Sequence, residues 1–366
     1  LAVWLSVSNA FCVEMVRLPE VEVETAPTPN FLLSEKLKAI QNVVPVSPQA
    51  GPKVTIEQLQ QMALATNPTL IQAAAHIRAL RGTQVQAGLC PNPNIGWVAE
   101  EMGNGGQAGR QGVGFSQEIV TGNKLGLSRA TASRAVWAAE AQFRAQQLRV
   151  ENDVRISAIA ILASQERIQI LEKLVKISED DAKITEELFK AKEVNQSEVL
   201  MAFIEANRTS LTLHTARRNY LASWQRLAGI LGRPDMQQVP IEGDLKKNIP
   251  ALAWEASLTR LLIESPLLEE ANAKIAQARC EWQRQCAERK SNLEIGAAVA
   301  YNDDSEYTEA TLEVMVPLKI YDRNQGNIMR ARAELMMAHQ ERDRLGLVLH
   351  NQLAQAFREY SVAQTE

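Results

Sequence analysis

Residues 114–135 read GFSQEIVTGNKLGLSRATASRA, and further along the chain residues 314–334 read VMVPLKIYDRNQGNIMRARAE. Both place an alternating apolar-polar segment, a turn with Gly or Asn, and a run of helix formers in the same order. The motif GNKLGLS invites comparison with a phosphate loop. Walker spacing, however, needs Gly, four residues, then Gly-Lys-Ser/Thr, and the stretch lacks it. The sequence instead predicts two strand-to-helix turns, with Gly122 and Lys124 in the first and Asn324 and Gly326 in the second. Lys124 and Asn324 are expected to satisfy free backbone groups at the helix starts.

Outward from the turns, each alternating segment has a partner. In the first copy Ile95, Trp97 and Ala99 fall on one face and Gly96 and Glu100 on the other, Val98 being the exception. Beyond the polar loop GNGGQAG, Val113, Phe115 and Ile119 oppose Gly112, Gly114, Ser116 and Glu118. In the second copy Leu293, Ile295, Ala297, Val299 and Tyr301 oppose Asn292, Glu294, Gly296 and Asn302. Past NDDSE, Ala310, Leu312, Val314 and Val316 oppose Glu309, Thr311 and Glu313. Two β-hairpins follow, residues 94–119 and 292–318, of about ten residues per strand.

Strands of about ten residues tilted near 45° cross the hydrocarbon layer of a bilayer. A soluble sheet with one wet face has the same alternation. In a membrane, four strands leave two bare edges and fall short of the roughly eight that close a barrel, so the chain would have to oligomerise. On that reading Ile95, Trp97, Val113, Phe115, Ile295, Val299, Tyr301, Leu312 and Val314 face lipid. Glu118, Glu294 and Glu313 face a lumen rather than serving as paired acid-base carboxylates.

The helices set a length scale. From Leu125 to Lys190 there is no Pro and no Gly after Gly126, which predicts one helix of about 65 residues and about 100 Å. Its apolar positions, Val136, Ala139, Phe143, Leu148, Val154, Ile161, Ile168, Leu171, Val175, Ala182 and Leu188, recur at coiled-coil-like spacing. The chain turns at AKEVNQSE, where Ser197 is expected to cap a returning helix that ends at GRPD. TIEQ (55–58) reads as a capping box. Asn67-Pro68 and Ser265-Pro266 read as matching helix starts, N-cap then Pro, ahead of helices near 68–88 and 266–290. The matched order of elements predicts an internal duplication. The second long helix would stop after about 40 residues, so the second copy is expected to be C-terminally incomplete.

Composition narrows the function. The 366 residues carry a net charge of −4 with charges scattered along the chain, which argues against nucleic acid as partner. No apolar run is long enough for a membrane helix. The four cysteines (Cys12, Cys90, Cys280, Cys286) and four histidines lack metal or redox spacing, so neither metal nor cofactor is expected. The opening LAVWLSVSNAFC fits either the apolar end of a secretory signal or a buried segment, and lipidation of Cys12 is disfavoured by the bulky Phe11. Residues 18–53, rich in Pro, read as an extended linker.

Together the hairpins, the long helices and the motifs NPTL (67–70), PNPNIGW (91–97), SQEIVTGNKLGLSRA (116–130) and VPLKIYDRNQGNIMRARAE (316–334) resemble the TolC family of outer-membrane efflux proteins. PLKIYDRNQGNI especially is similar to the branch serving heavy-metal efflux pumps. The resemblance covers residues 54–366 and implies the fold class: mainly α with β-hairpins, a duplicated TolC-like unit whose very long helices form a periplasmic α-barrel, plus four membrane β-strands per chain. It divides the chain into a signal remnant and linker (1–53), a first repeat (54–231), an equatorial segment (232–265) and a truncated second repeat (266–366).

The implied function is a passive, non-enzymatic conduit in the bacterial outer membrane, working as a homotrimer. Its partners would be outer-membrane lipid, a periplasmic adaptor and, indirectly, an inner-membrane pump. KAKEVNQSEVLMAFIEA (190–206) resembles the family's periplasmic tip, which makes Lys192, Glu193, Val194, Asn195 and Ser197 adaptor-docking candidates; Lys192 stands where the family usually has Gly. A periplasmic adaptor or a coiled-coil scaffold of an export system would share the helical hairpin but not the two alternating hairpins.

Overall fold

The computed structural model describes residues 53–103, 109–243, 245 and 251–365. The chain's apolar start, Cys12, most of the 18–53 segment and most of GNGGQAG lie outside the described residues. Strand β1 (Val54–Thr55) leads to helices α1 (Ile56–Thr66) and α2 (Pro68–Gln86), then strands β2 (Asn94–Glu100) and β3 (Arg110–Ile119). Helices α3 (Lys124–Lys190) and α4 (Gln196–Ile230) follow, then β4 (Ile241–Glu242), α5 (Trp254–Glu264) and α6 (Pro266–Ala287). Strands β5 (Leu293–Asn302) and β6 (Tyr307–Met315) and helix α7 (Gln325–Thr365) complete the described chain. The architecture is mainly helical with a small β portion.

Helix α3 runs 67 residues, about 100 Å, because nothing in its sequence interrupts the hydrogen-bond ladder. It ends in a Schellman turn: Glu193 N–H donates to the Leu188 carbonyl at 3.0 Å and Lys192 N–H to that of Phe189 at 2.9 Å. Lys192 holds the left-handed conformation there, with φ 64°. Asn195, not Ser197, caps α4, its side-chain oxygen accepting from Glu198 N–H at 3.0 Å. The helix begins two residues earlier than the sequence suggested, so Ser197 already lies inside its first turn.

Strands and helices share one lateral order. The four-stranded sheet is ordered β2-β3-β5-β6 and is antiparallel throughout. Beneath it α2 packs on α3, α3 on α6, and α6 on α7. The two orders agree because each strand is joined by a short connection to the helix below it. Further from the sheet, α3 leaves α6 and pairs with α4, where Arg217 Nη2 meets Glu172 Oε1 at 2.8 Å.

The main core lies part-way down α3, about 40–55 Å from its strand-side end. Val150, Val154, Ala158, Ile161 and Leu162 of α3 close on Leu59 and Ala63 of α1, Leu70 of α2, Tyr220, Trp224 and Leu227 of α4, and Ile241 of β4. Of the expected stripe on α3, Val136, Ala139, Val154, Ile161, Leu171 and Ala182 are buried. Leu148 is instead 49% exposed, while Val150 is 3% exposed and fills the core. Leu188, close to the hairpin tip, is also exposed at 37%.

Polar caps tie this belt together. Thr66 Oγ1 and Asn67 Nδ2 donate to the carbonyls of Leu231 and Ile230, at 2.6 Å and 2.8 Å, satisfying the open end of α4. Gly232 takes φ 69° within reach of the Thr66 carbonyl, where a side chain would collide. Parallel pairing of β1 with β4 joins residues 54–55 to 241–242. The TIEQ capping box forms as expected, and Asn67 caps α2 by accepting from Thr69 N–H. Ser265 differs: it occupies the N-cap of α6 but makes no side-chain cap bond.

Candidate functional site: the sheet and its junction with the helices

Cross-strand pairs point to the same side of a sheet, so the register assigns every side chain to a face. One row is Ile95, Phe115, Ala297, Leu312, and the next is Trp97, Val113, Val299, Ala310. Ile295 pairs with Val314, and Tyr301 with Thr308. All nine residues expected on the apolar side thus share one face. It lies open along its length, Ile95 being 79% exposed, Trp97 67% and Leu312 70%.

The opposite face carries Gly96, Gly114, Ala298 and Thr311 in one row, and Ser116, Gly296 and Glu313 in another. Glu118 pairs with Glu294 near the helical end. Val98 lies on this polar side, where it meets glycine: it pairs with Gly112, and its methyl crowds the space above Gly114. At Gly112 the strands approach so closely that a Cβ would overlap the Val299 carbonyl. At the loop end, Arg110 forms ion pairs with Glu100 at 3.2 Å and Glu309 at 3.5 Å and donates to Thr311 Oγ1. Sequence reasoning missed Arg110, although its place in the alternation with Gly112 and Gly114 marks its face. Strand β2 is also shorter than expected, at seven residues.

Where strand meets helix, the two turns align differently from the sequence expectation. Asn123 and Asn324, with φ of 57° and 61°, are the matching left-handed residues immediately before α3 and α7. Asn is tolerated there better than most side chains. Gly122 is also left-handed at φ 72°, whereas Gly326 is already inside α7. Lys124 does not serve backbone groups at the start of α3. It is 5% exposed, and its Nζ contacts Asn292 Oδ1 at 2.6 Å and Glu288 Oε2 at 3.4 Å. Asn324 Nδ2 does reach a backbone group, but at the far end of another helix: it donates to the Gln285 carbonyl at 2.9 Å, near the C-terminus of α6.

These contacts extend into one polar network. Asn292 Nδ2 donates to Glu118 Oε1 at 2.6 Å. Arg284 grips Glu281 through Nε and Nη2, at 2.9 Å and 2.7 Å, and lies 3.5 Å from Glu288. The Arg284 hydrogen bond holds the Glu281 carboxyl below its ordinary value, against the opposing effect of burial, and the same bond raises Arg284. Lys319 Nζ closes the network on the Glu288 carbonyl at 2.6 Å.

At the far end of α3, Lys192, Glu193, Asn195 and Ser197 are exposed on the hairpin tip and Val194 is half-buried. Among the described residues no group of three or more His, Cys, Asp or Glu is placed to hold a metal ion. No helix among them is long and apolar enough to cross a membrane, which says nothing of strands. Cys280 and Cys286 are free, half-buried thiols on α6. His350 lies edge-on to Trp254, with ring centroids 5.6 Å apart, joining α7 to α5.

An open sheet with an exposed apolar face, hung on helices of such length, marks the class of subunits whose sheet must be covered by lipid or by another chain. Residues 59–233, just under half of the chain, match the family model described as "Outer membrane efflux protein". It is 23% identical over 306 residues to the cobalt-zinc-cadmium resistance protein CzcC of Cupriavidus metallidurans, spanning 83% of this chain and 72% of that protein. Among solved structures, the outer-membrane channel OprN superposes with a TM-score of 0.70 at 16% identity, over 85% of this chain and 75% of that one. CusC does so at 0.61 and 14%, over 87% and 79%. The outer membrane protein VceC of Vibrio cholerae does so at 0.61 and 16%, over 85% and 78%. The family that this match points to is, by its description, one of the outer membrane.

Proposed function

We propose that three copies of this chain assemble into an efflux channel, each giving four strands to a twelve-stranded barrel and its long helices to a tube across the periplasm. The observation that carries this reading is the sheet register, which gathers the apolar side chains on one exposed face and, among the described residues, leaves edges β2 and β6 unpaired. A bare apolar sheet is a liability in water. In a bilayer the same face meets lipid, and pairing β6 of one copy with β2 of the next removes every edge. Glu118, Glu294 and Glu313 then face the water-filled lumen, and Ile95, Trp97, Val113, Phe115, Ile295, Val299, Tyr301, Leu312 and Val314 face lipid.

The recurring order of a helix, a hairpin and a long helix supports a duplicated unit, residues 54–231 and 266–366, around an equatorial segment of residues 232–265. Helix α1 packs into the same mid-height core as β4, so this belt also draws on the first repeat. The tip residues Lys192, Glu193, Val194, Asn195 and Ser197 dock a periplasmic adaptor, through which an inner-membrane pump supplies the energy. The chain is a conduit and not a catalyst. Its likeness to a cobalt-zinc-cadmium resistance protein makes metal ions the first cargo to test.

Fractionation of cells expressing the full-length protein tests the assembly. A trimer band in the outer-membrane fraction that collapses to monomer on heating supports it. A soluble periplasmic monomer contradicts it.

A further inference from the structure

Between the sheet and the core belt, α3 and α6 enclose a cleft of about 350 Å³, within the range of small-ligand sites. Ala273 and Ala276 of α6 line it with short side chains, and Trp137 of α3 stands beside them, 52% exposed. The ring is braced from one side, where the Arg134 guanidinium lies 3.9 Å from its centroid. At the rim Arg144 pairs with Glu269 at 2.5 Å, and Arg81 of α2 pairs with Glu140 at 2.9 Å. Those charges cancel. Left over are two guanidiniums: Arg134, and Arg279, which lies about two turns along α6 from Asn272 on the same face. Neither makes an ion pair among the described residues, and the exposed Asn272 side chain makes no hydrogen bond among them. In a chain whose net charge is −4, this cleft carries a positive surplus.

The cleft opens on the outside of the helical layer. At about 100° per residue, Trp137 points roughly 220° round α3 from Lys124, and Lys124 belongs to the network that reaches Glu118 on the polar side of the sheet. Trp137 therefore looks away from that side. The layer runs α2-α3-α6-α7, so a neighbouring copy attaches at its edges, α2 and α7, and leaves the groove between the two middle helices uncovered.

We infer that this cleft binds a carboxylate-bearing glycan. A pyranose ring presents a flat face of C–H groups that stacks on an aromatic ring already held in place. Planar guanidinium and amide groups around that ring match carboxylates and hydroxyls. A neutral sugar would leave the positive surplus unanswered, and an acidic peptide would leave Trp137 without a stacking partner. The acidic sugar polymer of the bacterial cell wall meets both demands. The inference rests on the channel reading for the compartment the cleft faces, and adds a tether between the tube and the wall around it.

Calorimetric titration of the full-length protein in mild detergent tests it, with native mass spectrometry of the same samples. The probes are the disaccharide-tetrapeptide cut from purified peptidoglycan, chitobiose as a neutral sugar, and the tetrapeptide alone. Expected is binding of the glycopeptide in preference to both others, weakened by salt and about tenfold weaker for Trp137→Ala and for Arg134→Gln combined with Arg279→Gln. Should Trp137→Ala unfold early, Asn272→Ala, whose side chain holds nothing in the fold, decides instead: weaker binding supports the cleft and unchanged binding contradicts it. Equal binding of chitobiose or of the tetrapeptide overturns the glycan assignment, as does glycopeptide binding that none of these variants weakens. The cleft lies within one chain, so the two readings fail separately. A trimer that binds no glycopeptide overturns the cleft alone; a monomer that binds it supports the cleft and contradicts the channel.

Discussion

Lys192 sits where the backbone needs a left-handed residue, at the turn that reverses α3 into α4. A side chain in that conformation costs roughly 1 kcal/mol or more relative to glycine. Lys192→Gly should therefore slow amide exchange across residues 188–193, equivalent to up to ~1 kcal/mol of local stability once glycine's extra chain entropy is deducted. Faster exchange would contradict the strain. At the other side of the turn, Asn195→Ala should weaken the start of α4 by ~1 kcal/mol, whereas Ser197→Ala should stay within ~0.5 kcal/mol. The sequence located this turn from the loss of helical pattern in AKEVNQSE. The expected cap was Ser197; the clue to the one used was the Asn195-to-Glu198 spacing, since that Glu accepts in return from Asn195 Nδ2 at 3.0 Å.

At the scale of elements, helix extents were largely legible because Pro, Gly and helix formers act locally. The network that locks the sheet onto the helices was not. Lys124 and Glu118 lie about 170 residues from Asn292 and its neighbour Glu288, and the two groups meet only after β3 and β5 pair. Replacing Lys124 with Met should remove its charge-assisted contacts to Asn292 and Glu288, at ~1.5–3 kcal/mol, read as a lower unfolding temperature. Glu281 gives this junction a pH dependence. Its folded pKa lies below the ordinary 4.5, so its contribution is complete above that pH and is lost as acid takes the solution through the folded value. The stability gap between the protein and Glu281→Gln should accordingly narrow in acid, and a gap that widens would reverse the assignment. In the core belt, Leu227 is fully buried, and Leu227→Ala should cost ~2–5 kcal/mol in thermal or denaturant unfolding.

For the whole molecule, the sheet decides the reading. Its alternation was legible because a strand buried on neither side in the isolated chain still has to distinguish oil from water, and Leu312, Thr311, Val314 and Glu313 do so residue by residue. The exceptions were local: Val98 fits the polar side only because Gly112 and Gly114 make room for it. Adjacent positions allow a sharp comparison. Val314→Arg places a charge near the middle of the proposed apolar band and should impair assembly by ~2–4 kcal/mol, while Glu313→Arg on the lumen side should leave the yield of assembled protein nearly unchanged. Equal damage from both would argue that neither face meets lipid.

The most direct test of the channel is the mass of the complex extracted from the outer membrane in mild detergent. With a chain of 40.5 kDa, the account predicts a species of three chains by native mass spectrometry that dissociates only on heating. A stable single chain, soluble without detergent, would contradict it.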